Sequence, residues 1–125
     1  MSGKVVSAML IVAGIIHLLP LNGVRGPEQL AAMYGVSVAG PDMEILMRHR
    51  AVLFGLLGMF LLVAAFTPHL QMAAIIVGAL SAATFIGLAW TVGSYNAPVQ
   101  RVVIADVVAL GCLAVAAGLK LLAPR

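Results

Sequence analysis

The chain has 125 residues, of which 63% are hydrophobic and 9% charged, with a formal net charge of +3. Soluble domains sit nearer half apolar and a quarter charged, so this composition excludes an ordinary soluble domain. The positive charges lie at the ends of apolar runs and form no basic run, which excludes a nucleic-acid-binding patch and fits contact with anionic headgroups.

Residues 5–19 form the first apolar run. A membrane span needs about 20 mostly apolar residues, so this run must borrow its flanks. The start Met1-Ser2-Gly3-Lys4 ahead of it resembles a secretory signal, but small residues in a cleavage pattern are missing and His17-Leu18-Leu19-Pro20 is a poor exit. An uncleaved first helix over residues 4–19, ending at Pro20, is therefore expected. A connection follows over residues 21–40. Within it Pro27-Glu28-Gln29-Leu30-Ala31-Ala32-Met33-Tyr34-Gly35 reads as a short helix. Proline suits the first helical position, Glu28 complements the positive helix end, and Gly35 suits the left-handed residue that closes a helix. Its mixed polarity and its tyrosine point to the membrane interface.

The second span is expected to start at Pro41, with Asp42 and Glu44 in its first turn, and its apolar run covers residues 45–66. Thr67-Pro68-His69 is a tight turn that makes the second and third spans antiparallel neighbours. The third run covers 70–92 and ends near Trp90 and Tyr95, aromatic residues typical of a membrane interface. Asn96-Ala97-Pro98 starts the fourth, whose apolar run covers 99–122. Cys112, the only cysteine, lies inside it, so no intrachain disulfide is possible and the thiol reads as a small apolar packer. The predicted fold is all-α: one domain over residues 1–125, an integral membrane four-helix bundle with one short interfacial helix in the first loop.

Most ionisable groups in the spans fall at one end of this bundle: His17, Arg48-His49-Arg50, Arg101 and Asp106. Intramembrane charge is costly, so the cluster is a candidate functional site. Glu44 and Arg48 share one stripe of the second span, close to Ala51, Gly55 and Gly58. Small residues let membrane helices approach closely, so this stripe is expected to face the bundle and to bury Arg48 against Glu44 or Asp106. Asp42 and His49 lie on a second stripe, Arg50 points elsewhere with a stem long enough to snorkel to headgroups, and Arg101 faces away from Asp106. Asp106 lies about 12 Å below Pro98 at 1.5 Å per residue, and must pair or protonate there. Ser81, Thr84, Thr91 and Tyr95 share a face of the third span that could supply hydroxyls.

The candidate ligand-binding set is His17, Glu44, Arg48, His49 and Asp106 for a polar head, with Tyr34, Trp90 and Tyr95 at the mouth. His17, His49, Glu44 and Asp106 are acceptable metal ligands, but no metal-binding spacing is present, and no metal or other cofactor is assigned. Each residue also has a structural reading: Asp106 with an arginine locks two helices, the arginines and aromatics anchor spans in headgroups, and His17 complements a helix C-terminus. Three functions fit the pattern. The leading one is binding of a lipophilic small molecule or membrane lipid. The second is an intramembrane isomerase or quinone-linked redox subunit with His49 or Asp106 as acid–base. The third is assembly, as a homo-oligomer or as a subunit of a larger membrane complex. On the terminal side stand Lys4, Lys120 and Arg125. If Arg48, Arg50 and Arg101 belong to the site, only Arg25 opposes them, and the termini face the cytoplasm.

The stretch Leu30, Tyr34-Gly35-Val36 and Met43-Glu44-Ile45-Leu46-Met47-Arg48-His49-Arg50-Ala51-Val52-Leu53-Phe54-Gly55-Leu56-Leu57-Gly58 resembles a bacterial family of small four-helix membrane proteins of unknown function. Its Arg-His-Arg-Ala-Val-Leu-Phe-Gly core is the specific part; the rest is similar to DoxX-like proteins in hydropathy. The resemblance implies a four-helix fold in the bacterial inner membrane and no established activity. Some proteins of this kind carry the name phosphopantetheine adenylyltransferase. That activity needs a nucleotide-binding strand–loop–helix and a His-x-x-His or Gly-His phosphate motif, and the sequence has neither.

Overall fold

The computed structural model describes residues 2–122. Within them the chain forms α1 (Ser2–Leu18), a 3₁₀ segment (Leu19–Arg25), α2 (Pro27–Tyr34), α3 (Pro41–Ala65), a short 3₁₀ turn (Pro68–Leu70), α4 (Gln71–Val92) and α5 (Ala97–Leu122). Four stretches, Ser2–Arg25, Pro41–Ala65, Pro68–Val92 and Ala97–Leu122, are long and apolar enough to cross a membrane. The chain is thus an all-α, multi-pass membrane bundle. Pro20 does not end the first span. It sits at the start of the 3₁₀ segment, where its missing N–H has no partner to lose, and that segment supplies the length the first apolar run lacks.

Local sequence sets the helix ends. α2 opens on Pro27 and closes on Gly35, which adopts φ 64°, ψ 33° and donates its N–H to Ala31 O. α3 opens on Pro41 with Asp42 and Glu44 in its first turn. Asn96 caps two helices at once. Its Oδ1 accepts from Val99 N–H at 2.9 Å at the start of α5, and its Nδ2 donates to Tyr34 O and Gly35 O at 2.8 and 3.1 Å at the end of α2. That side chain ties α2 to the bundle. Leu30 and Tyr34 are buried, so α2 docks on the bundle end through one face.

α1 packs against α3 and α5, α4 packs against α5 and more sparsely against α3, so the order around the bundle is α1, α3, α4, α5. The core is small and aliphatic: Leu10, Ala13, Leu61, Ala64, Ala74, Ala109, Leu113 and Ala116 are fully buried. α1 and α3 approach most closely at Gly14 and Gly58, where a Cβ on Gly58 would stand 2.9 Å from Gly14 O. At the end that holds Ser2 and Leu122, Ser7 Oγ donates to Ala65 O at 2.6 Å and Lys120 Nζ to Pro68 O at 3.4 Å, satisfying carbonyls freed by the turn between α3 and α4, and Lys120 Nζ also donates to Gln71 Oε1 at 2.9 Å. Leucines, isoleucines and valines cover the outer faces; Leu53, Leu56, Leu80 and Leu88 are all more than half exposed, which suits lipid rather than water.

Candidate functional site

The rotation of α3 decides which polar residues meet. Ala51, Gly55 and Gly58 are buried, as their size suggests, but they pack on α1 and the 3₁₀ segment: a Cβ on Gly55 would stand 2.6 Å from Leu21, and one on Gly58 2.8 Å from Leu18. Arg48 extends that stripe past the end of α1. It lies on the rim, where Nε donates to Val24 O at 2.8 Å and Nη1 pairs with Glu44 at 3.0 Å. The two side chains are 45% and 36% exposed. Arg48 is therefore paired with a carboxylate, as expected, but it is not buried in the bundle.

A different stripe of α3 faces inward: Arg50, Phe54, Leu57 and Leu61, spaced by four, three and four residues. Arg50 does not snorkel outward. Its Nη1 donates to Tyr34 Oη at 3.0 Å. Its guanidinium carbon lies 4.6 Å from the Phe54 ring centre, 5.2 Å from Tyr34 and 5.8 Å from Phe85 of α4. Aromatic faces attract a guanidinium through their negative quadrupole, so three rings and a phenol hold this cation inside the protein.

Below Arg50 lies a partly open cavity of about 230 Å³, walled by α1, the 3₁₀ segment, α2, α3 and α5. Ile16, Met33, Phe54, Pro98 and Val102 make its apolar wall; His17, Tyr34, Arg50, Arg101 and Asp106 are its polar members. Asp106 is only 6% exposed. Among the described residues no side-chain hydrogen bond or ion pair reaches its carboxylate, although Arg50 lines the same cavity. His17 is the opposite case. Its Nδ1 lies 2.9 Å from Ala13 O, which can only accept, so Nδ1 carries a proton; Nε2 lies 3.3 Å from Ser81 Oγ, within hydrogen-bond reach. Both nitrogens of this buried imidazole are engaged, and its ring leans on Phe54 with centroids 6.0 Å apart.

The structure thus brings together His17, Tyr34 and Asp106 of the expected set. It adds Arg50, which the small-residue stripe did not point to, and Arg101, which is exposed yet lines the cavity rim. It places five expected residues elsewhere. Glu44 and Arg48 pair on the rim, and His49 is exposed on the outer side of α3. Trp90 is 88% exposed and Tyr95 41%, and neither lines the cavity; they lie at and just past the end of α4. Thr84 and Thr91 donate to carbonyls of their own helix, Leu80 O and Gly87 O, so only Ser81 of the α4 hydroxyl face turns inward. Among the described residues no three His, Cys, Asp or Glu side chains stand close enough to share a metal ion. Arg125, counted in the orientation tally, lies outside the described residues. Comparison of the chain with family models, curated proteins and solved structures finds no match.

Proposed function

We propose that this bundle binds a lipophilic small molecule or lipid whose polar head occupies the cavity between α1, α2, α3 and α5. One observation carries the reading: Asp106, nearly buried, faces the same cavity as Arg50 without touching it. A pair that locked two helices would be in contact, because a buried charge left apart from its partner is costly. A carboxylate and a guanidinium held apart over a cavity are complementary to a ligand that bridges them. Tyr34 and the two rings fix Arg50, and the Ala13–His17–Ser81 chain of hydrogen bonds braces the wall. The acid–base alternative would rest on Asp106 alone, since His49 is exposed and does not line the cavity. The bacterial four-helix family and the inner membrane remain the setting we assign. With Arg48 on the rim and outside the site, the charge tally narrows to three against two, still on the side of cytoplasmic termini.

The test is linkage. A ligand that binds only the native state stabilises it by about 2.7 kcal/mol at a hundredfold excess over Kd. Thermal melts in detergent, with and without lipid extract, are expected to show a ligand shift in the wild type that Asp106→Asn abolishes without lowering the melt of the ligand-free protein. Native mass spectrometry of the gently purified protein is expected to find a co-purified lipophile. No shift in the wild type, together with unfolding of Asp106→Asn without ligand, would establish helix locking instead.

A further inference from the structure

Arg50 and Phe54 stand between two cavities. The second, about 300 Å³, lies between α3 and α4 and is lined by Arg50, Leu53, Phe54, Leu57 and Ser81. α3 and α4 touch near their turn, where Leu61 meets Gly78, but part further along. Leu53, on the outer edge of this gap, is 52% exposed. The gap therefore opens sideways, toward the lipid chains, and it adjoins the polar cavity across the Arg50 and Phe54 side chains that line both. Ser81 is already hydrogen-bonded to His17 and Arg50 to Tyr34, so the gap offers a ligand mainly hydrocarbon contacts. The polar cavity offers the reverse. Arg50 and Arg101 face a single carboxylate, Asp106, which leaves an unbalanced positive charge beside an unpartnered acceptor.

Resting on the binding reading above, we propose that the ligand is a single-chain anionic amphiphile. Its oxyanion, carboxylate or phosphate, lies between Arg50 and Arg101; guanidinium groups recognise both in the same forked geometry. A neighbouring hydroxyl or N–H donates to Asp106. The chain leaves past Phe54 and Leu57 through the gap between α3 and α4 into the bilayer. At about 300 Å³ the gap sits at the small end of ligand-pocket volumes, roughly 300–1,000 Å³, so a two-chain lipid would have to leave one chain outside.

The experiment uses the full chain in phosphatidylcholine nanodiscs, with thermal shift and calorimetric titration as readouts. The probes are 1-dodecanoyl-glycerol-3-phosphate, its butanoyl analogue, dodecanoate and the dodecyltrimethylammonium cation. The expected result is binding of the dodecanoyl phosphate or of dodecanoate, the stronger of the two naming the oxyanion, with no binding of the ammonium probe. Arg101→Gln, on an exposed rim residue, is expected to weaken both anions tenfold or more with the fold intact. Leu53→Trp, which fills the gap, is expected to weaken the dodecanoyl probe tenfold or more while leaving the weaker butanoyl analogue unchanged. If the ammonium probe binds and the anions do not, or if Leu53→Trp acts equally on both chain lengths, the proposal is overturned while the binding site stands. If no probe and no lipid extract shifts the wild type, the binding reading itself falls.

Discussion

The two arginines of α3 that flank His49 differ in what they touch, and that difference is measurable. Arg48 holds an exposed i,i+4 pair with Glu44 and one backbone carbonyl, Val24 O. Exposed pairs of this kind contribute about 0.3–0.5 kcal/mol, and one further exposed bond adds a similar or slightly larger amount, so Arg48→Met is expected to cost about 1 kcal/mol. Arg50 donates to the Tyr34 phenol and lies over three rings. A hydrogen bond from a charged group contributes about 1.5–3 kcal/mol and a partly desolvated cation–π contact about 1–2, against which relief of the desolvation penalty must be set. Arg50→Met is therefore expected to cost about 2–4 kcal/mol net. It also leaves Asp106 as the only uncompensated charge on the buried side of the cavity. Arg50→Met combined with Asp106→Asn is thus expected to cost less than the sum of the single changes, by about 1 kcal/mol or more. Denaturant titration in mixed micelles, followed by far-ultraviolet circular dichroism, reads all four proteins. Equal losses at positions 48 and 50, or strict additivity of the double variant, would refute the assignment of Arg50 to the interior and its coupling to Asp106.

Further expectations follow from individual contacts. Gly58→Ala drives a methyl into Gly14 O and Leu18 and is expected to destabilise by about 1–3 kcal/mol, whereas Gly111→Ala, with nothing within 4 Å of its added Cβ, is expected to stabilise by about 0.5–1 kcal/mol; the same denaturant titration compares them. Asn96→Ala removes the cap of α5 and both bonds to the end of α2, an expected cost of about 1–2 kcal/mol, and amide exchange over residues 27–34 should accelerate as α2 loosens. Tyr34→Phe removes only the hydroxyl partner of Arg50 and should lose about 1–2 kcal/mol while keeping the ring contact; no loss would mean that Arg50 is held by the rings alone. In a Cys112→Ala background, Ser2→Cys and Leu122→Cys should label from one side of the membrane and Ser94→Cys from the other, and labelling of residues 2 and 122 from opposite sides would contradict the four-span topology.

The number of spans, the turn at Thr67-Pro68, the start of α3 at Pro41 and the short helix from Pro27 capped by left-handed Gly35 were all legible in the sequence. Each depends on contiguous residues: hydropathy over a window, a missing N–H, a backbone that only glycine adopts without strain. The place of Asp106 well inside α5 was legible for the same reason, since it follows from where the helix starts. Which side chains share the cavity was not. α3 carries two stripes fit to face a neighbour, one small (Ala51, Gly55, Gly58) and one bulky (Arg50, Phe54, Leu57, Leu61), and periodicity alone cannot say which neighbour each meets. The tertiary structure sends the small stripe against α1 and the 3₁₀ segment, which puts Arg48 on the rim and Arg50 inside. It also brings Ser81 to His17 across 64 positions of sequence, engaging a histidine read as part of the polar-head set, and leaves Asp106, expected to pair or protonate, on the same cavity as Arg50 without touching it. A one-dimensional pattern fixes a helix and the angle between its faces; the rotation of that helix in the bundle is set by close packing against three others, and only that rotation decides which charges meet.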